Sequence, residues 1–345
     1  MKRVIQLVVG VAISLLMLWL AFRNVSMDET MDAVGRVAWW VYPAYFIQLC
    51  IQYVFRTWRW QRQTVNLTGK PFPFMKAFAI CTVSFAGTFL LPFRLGEFIR
   101  PYLARQQGYG RKSIGLATVA LERVVDGVVM TGLLALLLTQ LGSRRVDPVI
   151  STGGFLALLV FGGALVVFVA AYRWKEASIR FWGAVLKPMG PRISEKLLGI
   201  LEAFIEGLKS LPNLKEVGIY LLMTAVYWGF NGLGMWMLAR GMDLDVPLLG
   251  GFFSLCCLVV GITIPAGPGN VGNFEYAIQI SLKAFGVSAS DGAGYAIWTH
   301  LFQTVHMVAL AGLFLGLGKI HLTRKDIEDA NSGTDMPSQE LQPPA

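Results

Sequence analysis

The stretch Phe89–Arg105, FLLPFRLGEFIRPYLAR, decides how the rest of the chain reads. An apolar run stops at Pro92. Arg94, Glu97 and Arg100 then follow three apart, in a sequence that otherwise looks like membrane. A second stretch, Ile262–Ile278, ITIPAGPGNVGNFEYAI, repeats the device: apolar run, Pro265, Gly267-Pro268-Gly269, then a helical pattern carrying Glu275. Two broken hydrophobic segments with ionisable or amide groups beside each break point to a central site in a transporter-like fold.

Composition sets the class. The 345 residues are 55% hydrophobic and only 15% charged, and the mean hydropathy is +0.56. Soluble domains carry about 25% charged residues, so the chain is expected to be a polytopic membrane protein. The net charge of +9 fits cytoplasmic loops that orient the spans and face anionic lipid. With no soluble domain to display a basic patch, a nucleic-acid partner is not expected. The four cysteines lie inside apolar runs without CxxC spacing, so neither a zinc site nor a disulfide framework is expected. GPGNVG lacks the Lys-Ser/Thr of a phosphate loop, and His300 and His306 are six apart, off one helical face. No cofactor or metal is predicted.

The fold class that follows is an all-α polytopic membrane protein. Six full spans are read at about 4–22, 39–57, 113–141, 149–172, 217–239 and 293–318, with two re-entrant broken-helix hairpins between them at 72–106 and 247–285. Span two is taken to close at an interface marked by Arg56, Thr57, Trp58, Arg59 and Trp60. A plain span followed by an interfacial helix is the alternative for the first hairpin. Irregular backbone survives at membrane depth only under cover of protein or water. Cytoplasmic N and C termini put nearly all the basic loops on one side, with Arg144-Arg145 the local exception. The transmembrane domain is assigned to residues 1–321. Within it, 173–215 forms a cytoplasmic amphipathic segment with Ile193, Leu197, Leu201 and Ile205 on one face, lying on the membrane surface or packed on the protein. Residues 322–345, rich in Asp, Ser, Gln and Pro, read as a disordered tail.

The two broken units share a register. Glu97 precedes Glu122 by 25 positions and Glu275 precedes His300 by 25; at the same offset Gly108 falls on Gly286. Three spans lie between the hinges. An odd number turns the second unit over, which makes an inverted repeat, an architecture that supports alternating access.

Arg94, Glu97 and Arg100 share a helix face. They suit an anionic headgroup, because the planar guanidinium makes bidentate contacts to phosphate. The alternative is an interfacial helix with snorkelling arginines. Glu122 and Asp126, four apart, stack on one face, with Arg123 in reach of Asp126. Charges at mid-membrane cost about 2.5–3.5 kcal/mol each on insertion scales, so they pair and face inward, whether as a substrate path or as a structural network with Arg100 or Arg94. Two acids to one base would leave a carboxylate in surplus. At the second break the helix start near Asn270 and Asn273 would attract anions, and Glu275 would weaken that attraction. Pro92, Gly96, Pro265, Pro268, Gly269 and Gly272 are the hinge candidates. His300 gains interest as the repeat partner of Glu122.

The motifs PFRLGEFIRPYLA, LERVVD and IPAGPGNVGNFEYA, in this order, resemble the lysylphosphatidylglycerol synthetase membrane region, also called the flippase-like family. The similarity reaches to about His321. It implies a helical inner-membrane protein related to the part of the synthetase that moves lysyl-lipid between leaflets. By motif match it singles out Arg94, Glu97, Arg100, Glu122, Arg123, Pro268, Gly269, Gly272 and Glu275. Asn270 departs from the pattern, standing where many members have a second glycine. The chain shows no soluble aminoacyl-transfer domain, so lysyl-lipid is not implied as substrate. The expected function is a non-enzymatic lipid translocase that moves a polar or anionic headgroup by alternating access, driven downhill or coupled to protons through Glu97, Glu122 or Glu275. The expected partners are a phospholipid or lipid-linked substrate, with a homo-oligomer or a biosynthetic enzyme as further possibilities. The alternative is a membrane enzyme or accessory protein acting on a lipid-linked sugar or phosphate.

Overall fold

The computed structural model describes residues 2–91, 96–109, 112–142, 146–264 and 267–317. Pro92, Arg94, Pro265, Arg144, Arg145 and the tail from 318 lie outside them. Among the described residues every regular element is helical. In chain order these are α1 (Lys2–Phe22), α2 (Met27–Gly35), α3 (Val41–Thr68), α4 (Phe74–Leu90), α5 (Gly96–Gln106), α6 (Lys112–Leu141), α7 (Pro148–Arg173), α8 (Lys175–Leu186), α9 (Pro191–Leu208), α10 (Leu214–Gly241), α11 (Leu248–Gly261), α12 (Asn273–Lys283) and α13 (Ala289–Gly316).

Three helical stretches are long and apolar enough to cross a membrane alone: Gly115–Leu141, Pro148–Val167 and Ala289–Gly316. The apolar part of α1 joins α2 through an 85° bend to make a fourth candidate. α3 and α10 have 28 residues each but fall short in apolarity, so the six-span count rests on these two. By contrast α4 and α11 have only 17 and 14 residues. At 1.5 Å per residue they reach about 25 and 21 Å, less than a hydrocarbon core of about 30 Å.

Both short helices are arms of antiparallel hairpins. Phe72, just before α4, stacks on Tyr109, just after α5, at 4.0 Å between ring centroids. Near the turn the backbones touch: a Cβ on Gly96 would fall 1.8 Å from the Thr88 nitrogen, and Ser84 Oγ donates to the Gly96 carbonyl at 2.7 Å. Gly96 is therefore a point of close approach, which only a residue without a side chain satisfies. In the second hairpin Ser281 Oγ on α12 donates to Ser254 Oγ on α11 at 2.9 Å, and Phe253 meets Phe285 edge-on at 5.9 Å. Its turn holds a short 3-10 segment, Pro268–Asn270, with Gly269 and Gly272 at φ of 75° and 89°.

The order long, short, short, long occurs twice, in α3–α6 and in α10–α13. The packing is reciprocal as well: α4 lies against α13 and α11 against α6. The two leading helices, α3 and α10, run antiparallel along a shared seam. Gly241 packs on Val41 and Gly234 on Gln48; Arg59 bonds Thr224, Arg62 bonds Glu216 and Asn66 bonds the Ser210 carbonyl. As one number rises the other falls.

The peripheral helices close the bundle. α2 rests on α13, where Gly294 faces Ala33 and Arg36 pairs with Asp291. Along α9, Leu201 and Ile205 are buried while Ile193 and Leu197 stay exposed, and Gly207 abuts the Ala117 carbonyl of α6. The second half of this amphipathic face is thus satisfied by protein. The side chains of Arg192, Lys196 and Phe204 lie outside the described ones.

Candidate functional site

Two layers of polar residues fill the centre of the bundle. The deeper layer is ionic. Arg59 on α3 reaches Asp126 on α6 bidentately, at 2.6 and 2.9 Å, and adds a bond to Thr224 Oγ1 at 2.9 Å. Trp228 Nε1 donates to the same carboxylate at 3.2 Å. Arg100 on α5 donates to Glu122 at 2.8 Å, and both side chains are out of solvent, 2% and 0% exposed. Glu97 pairs with Arg123 at 3.2 Å in a more open position.

This arrangement corrects three expectations. α3 does not end at Thr57 but continues to Thr68, so Arg59 is not an interface residue; its side chain is fully buried. It can be so because Asp126 neutralises it. Arg123 pairs with Glu97 across two helices, not with Asp126 on its own. Finally, the balance of charge is reversed. The acids Glu97, Glu122 and Asp126 are all engaged by arginine, and it is Arg56 that has no carboxylate partner among the described residues. A signal for this existed in the sequence: Gln48, Gln52, Arg56, Arg59 and Gln63 recur at helical spacing and form one polar stripe on α3.

The second hairpin treats its acid differently. Glu275 Oε2 accepts the Gly272 N–H at 2.6 Å, capping the start of α12, and Oε1 lies 2.5 Å from His300 Nδ1. The imidazole is stacked on Phe274 at 4.2 Å and met edge-on by Phe89 at 5.3 Å. The helix start expected to attract an outside anion is thus served by the chain's own carboxylate. Asn273 is turned away from the centre, its amide nitrogen bonded to the Gly261 and Ile264 carbonyls at 3.3 and 3.0 Å.

The other layer is a cavity of about 180 Å³ with a mixed wall, mostly apolar and aromatic with polar groups set into it. Thr88 and Phe89 come from the first hairpin, Asn270 and Phe274 from the second, with Gly269 3.8 Å from the Phe89 ring. α3, α6, α10 and α13 contribute Gln52, Arg56, Arg123, Tyr227, Asn231 and Gln303. Of the sequence-predicted site residues, Arg123 and Asn270 line this space. Glu97, Arg100, Glu122 and Asp126 form the ionic layer, and Glu275 with His300 braces the second turn. Pro268, Gly269 and Gly272 shape that turn. A separate apolar groove of about 130 Å³ lies beyond the second hairpin, bordered by Met17, Ile150, Cys257, Asn273 and Tyr276.

Fold and site together define a multi-pass helical membrane protein built around paired hairpins and an arginine-bearing cavity. The chain belongs to the family described as the lysylphosphatidylglycerol synthase TM region, which it matches over residues 7–312. It is similar to a UPF0104 membrane protein of Methanocaldococcus jannaschii, 25% identical over 226 residues, covering 65% of this chain and 90% of the relative. It is also similar to the glycosyltransferase AglD of Haloferax volcanii, 26% identical over 263 residues, which is 68% of this chain but only 42% of that protein.

Proposed function

We propose that this protein moves a lipid headgroup between leaflets through the central cavity. One observation carries the reading. Two hairpins, each with a leading arm too short to span, bring Thr88 and Phe89 of one and Asn270 and Phe274 of the other to a cavity inside the bundle that carries two arginines on its wall. Hairpins that enter from opposite leaflets and meet midway would supply a headgroup path that is shut from one side at a time. The antiparallel seam of α3 and α10 and the reciprocal packing of the two four-helix units support an inverted repeat with re-entrant hairpins. The family fits the same reading, which puts the protein in the cell inner membrane. For proton coupling it assigns Glu275 with His300, since the other acids named are held by arginine.

The test is leaflet exchange of a fluorescent phospholipid in vesicles containing the purified chain. Asn231→Trp fills the cavity without touching an ion pair, and is expected to abolish exchange while the protein unfolds at the parent's temperature. Exchange that survives this plug overturns the reading. Turnover of a lipid-linked sugar without leaflet exchange would instead favour a membrane enzyme, the reading that the likeness to a glycosyltransferase suggests.

A further inference from the structure

The charges facing inward from α3, α5 and α6 do not cancel. Among the described residues, Glu97, Glu122 and Asp126 are paired with Arg123, Arg100 and Arg59 respectively. Arg56 remains. Its guanidinium lies 3.5 Å from the centroid of the Phe85 ring and 5.7 Å from that of Tyr227; among the described residues its one hydrogen bond is to Tyr227 Oη at 3.5 Å, and its Nε is buried without a partner. It lines the central cavity together with Arg123. The rest of the polar lining is amide and hydroxyl, from Gln52, Thr88, Asn231, Asn270 and Gln303, and no Asp or Glu borders the space among the described residues.

A half-buried guanidinium with no carboxylate within bonding distance is incompletely compensated, and an anion held beside it would complete the pairing. Amides and hydroxyls around it suit a headgroup with hydroxyl substituents. An ammonium group entering the same space would meet Arg56 and find no carboxylate on the wall among the described residues. We infer that the cavity selects phosphate-bearing, net-anionic headgroups through Arg56 and turns away headgroups carrying an amine, lysyl-lipid included. The inference deepens the proposed translocation, on which it rests for the cavity's purpose, but charge selection is read by binding, so either can fail while the other stands.

The experiment is lipid retention by the purified full chain, by native mass spectrometry, from phosphatidylcholine nanodiscs doped with phosphatidylglycerol or with its lysyl ester. The parent is expected to enrich phosphatidylglycerol over both other lipids. Arg56→Gln should lower that enrichment at least about tenfold, which corresponds to about 1.4 kcal/mol, and Arg56→Lys should retain most of it. Because Arg56 is half-buried and no carboxylate bonds it, Arg56→Gln should unfold close to the parent's midpoint, which separates lost binding from lost fold. Arg36→Gln, at an exposed pair with Asp291, controls for general surface attraction. Displacement by inorganic phosphate would show that the phosphate itself is recognised; enrichment that inorganic phosphate leaves intact would assign the site to a lipid headgroup. Equal retention by Arg56→Gln, an equal loss in Arg36→Gln, or a preference of the parent for the lysyl ester overturns the inference.

Discussion

Replacing Asp126 by Asn tests the deep ionic layer directly. The change keeps volume and one acceptor oxygen but removes the charge that holds Arg59. That guanidinium has no exposure of its own and would keep only its 2.9 Å bond to Thr224 and a weakened contact to the new amide. Breaking a buried pair from one side costs about 3–5 kcal/mol, a large part of the roughly 5–15 kcal/mol that holds a domain together. Arg59→Met should cost a similar amount, because Asp126 would be left with the Trp228 N–H at 3.2 Å. The double variant Arg59→Met/Asp126→Leu removes both charges and refills the space with apolar volume, an exchange that is often neutral. The two sites should then be coupled by at least about 3 kcal/mol. Unfolding free energies of the four proteins, measured in bicelles by steric trapping, give the cycle. A loss under about 1 kcal/mol for Asp126→Asn, or a double variant equal to the sum of the singles, would refute the argument that this pair is a desolvated, mutually dependent unit.

Three further outcomes follow from the packing and the topology. Gly96→Ala has no room, since its Cβ would sit 1.8 Å from the Thr88 nitrogen; it should destabilise by about 3 kcal/mol or more in the same unfolding assay. Gly132→Ala, with nothing within 4 Å, should gain up to about 1 kcal/mol from helix propensity. In a cysteine-free background, Lys70→Cys before the first hairpin and Asp245→Cys before the second, both exposed positions, should react with an impermeant maleimide from opposite faces of the membrane. Labelling from the same face would remove the inverted arrangement.

Much of the helical layout was legible because apolar runs in this chain are long and their ends are punctuated. The 113–141 and 149–172 readings lie within a residue or so of α6 and α7. The two breaks were visible as Pro and Gly beside charge. The identity of the ion pairs was not. Arg56 and Arg59 sit beside Trp58 and Trp60, and in sequence that cluster resembles an interfacial belt; only the packing of α3 against α6 turns Arg59 inward. Choosing between Glu97 and Asp126 as partner for Arg123 likewise depends on how α5 lies on α6, where Pro101 packs against Gly115. Nor does sequence tell which glycines mark close contacts: Gly127, Gly232 and Gly234 sit tightly against Phe161, Phe252 and Gln48, whereas Gly132, Gly229, Gly312 and Gly316 have open space around them.

The seam between α3 and α10 limits how the two halves can move. It is tied at Thr224, Glu216 and Ser210 and interlocked at Gly234 and Gly241, so lengthwise sliding would tear several of these ties together. Pivoting about the seam would leave them in place. Under the proposed translocation, a fulcrum of that kind would make a seesaw of the molecule: widening one mouth would narrow the other, with no separate latch needed to keep both from gaping together.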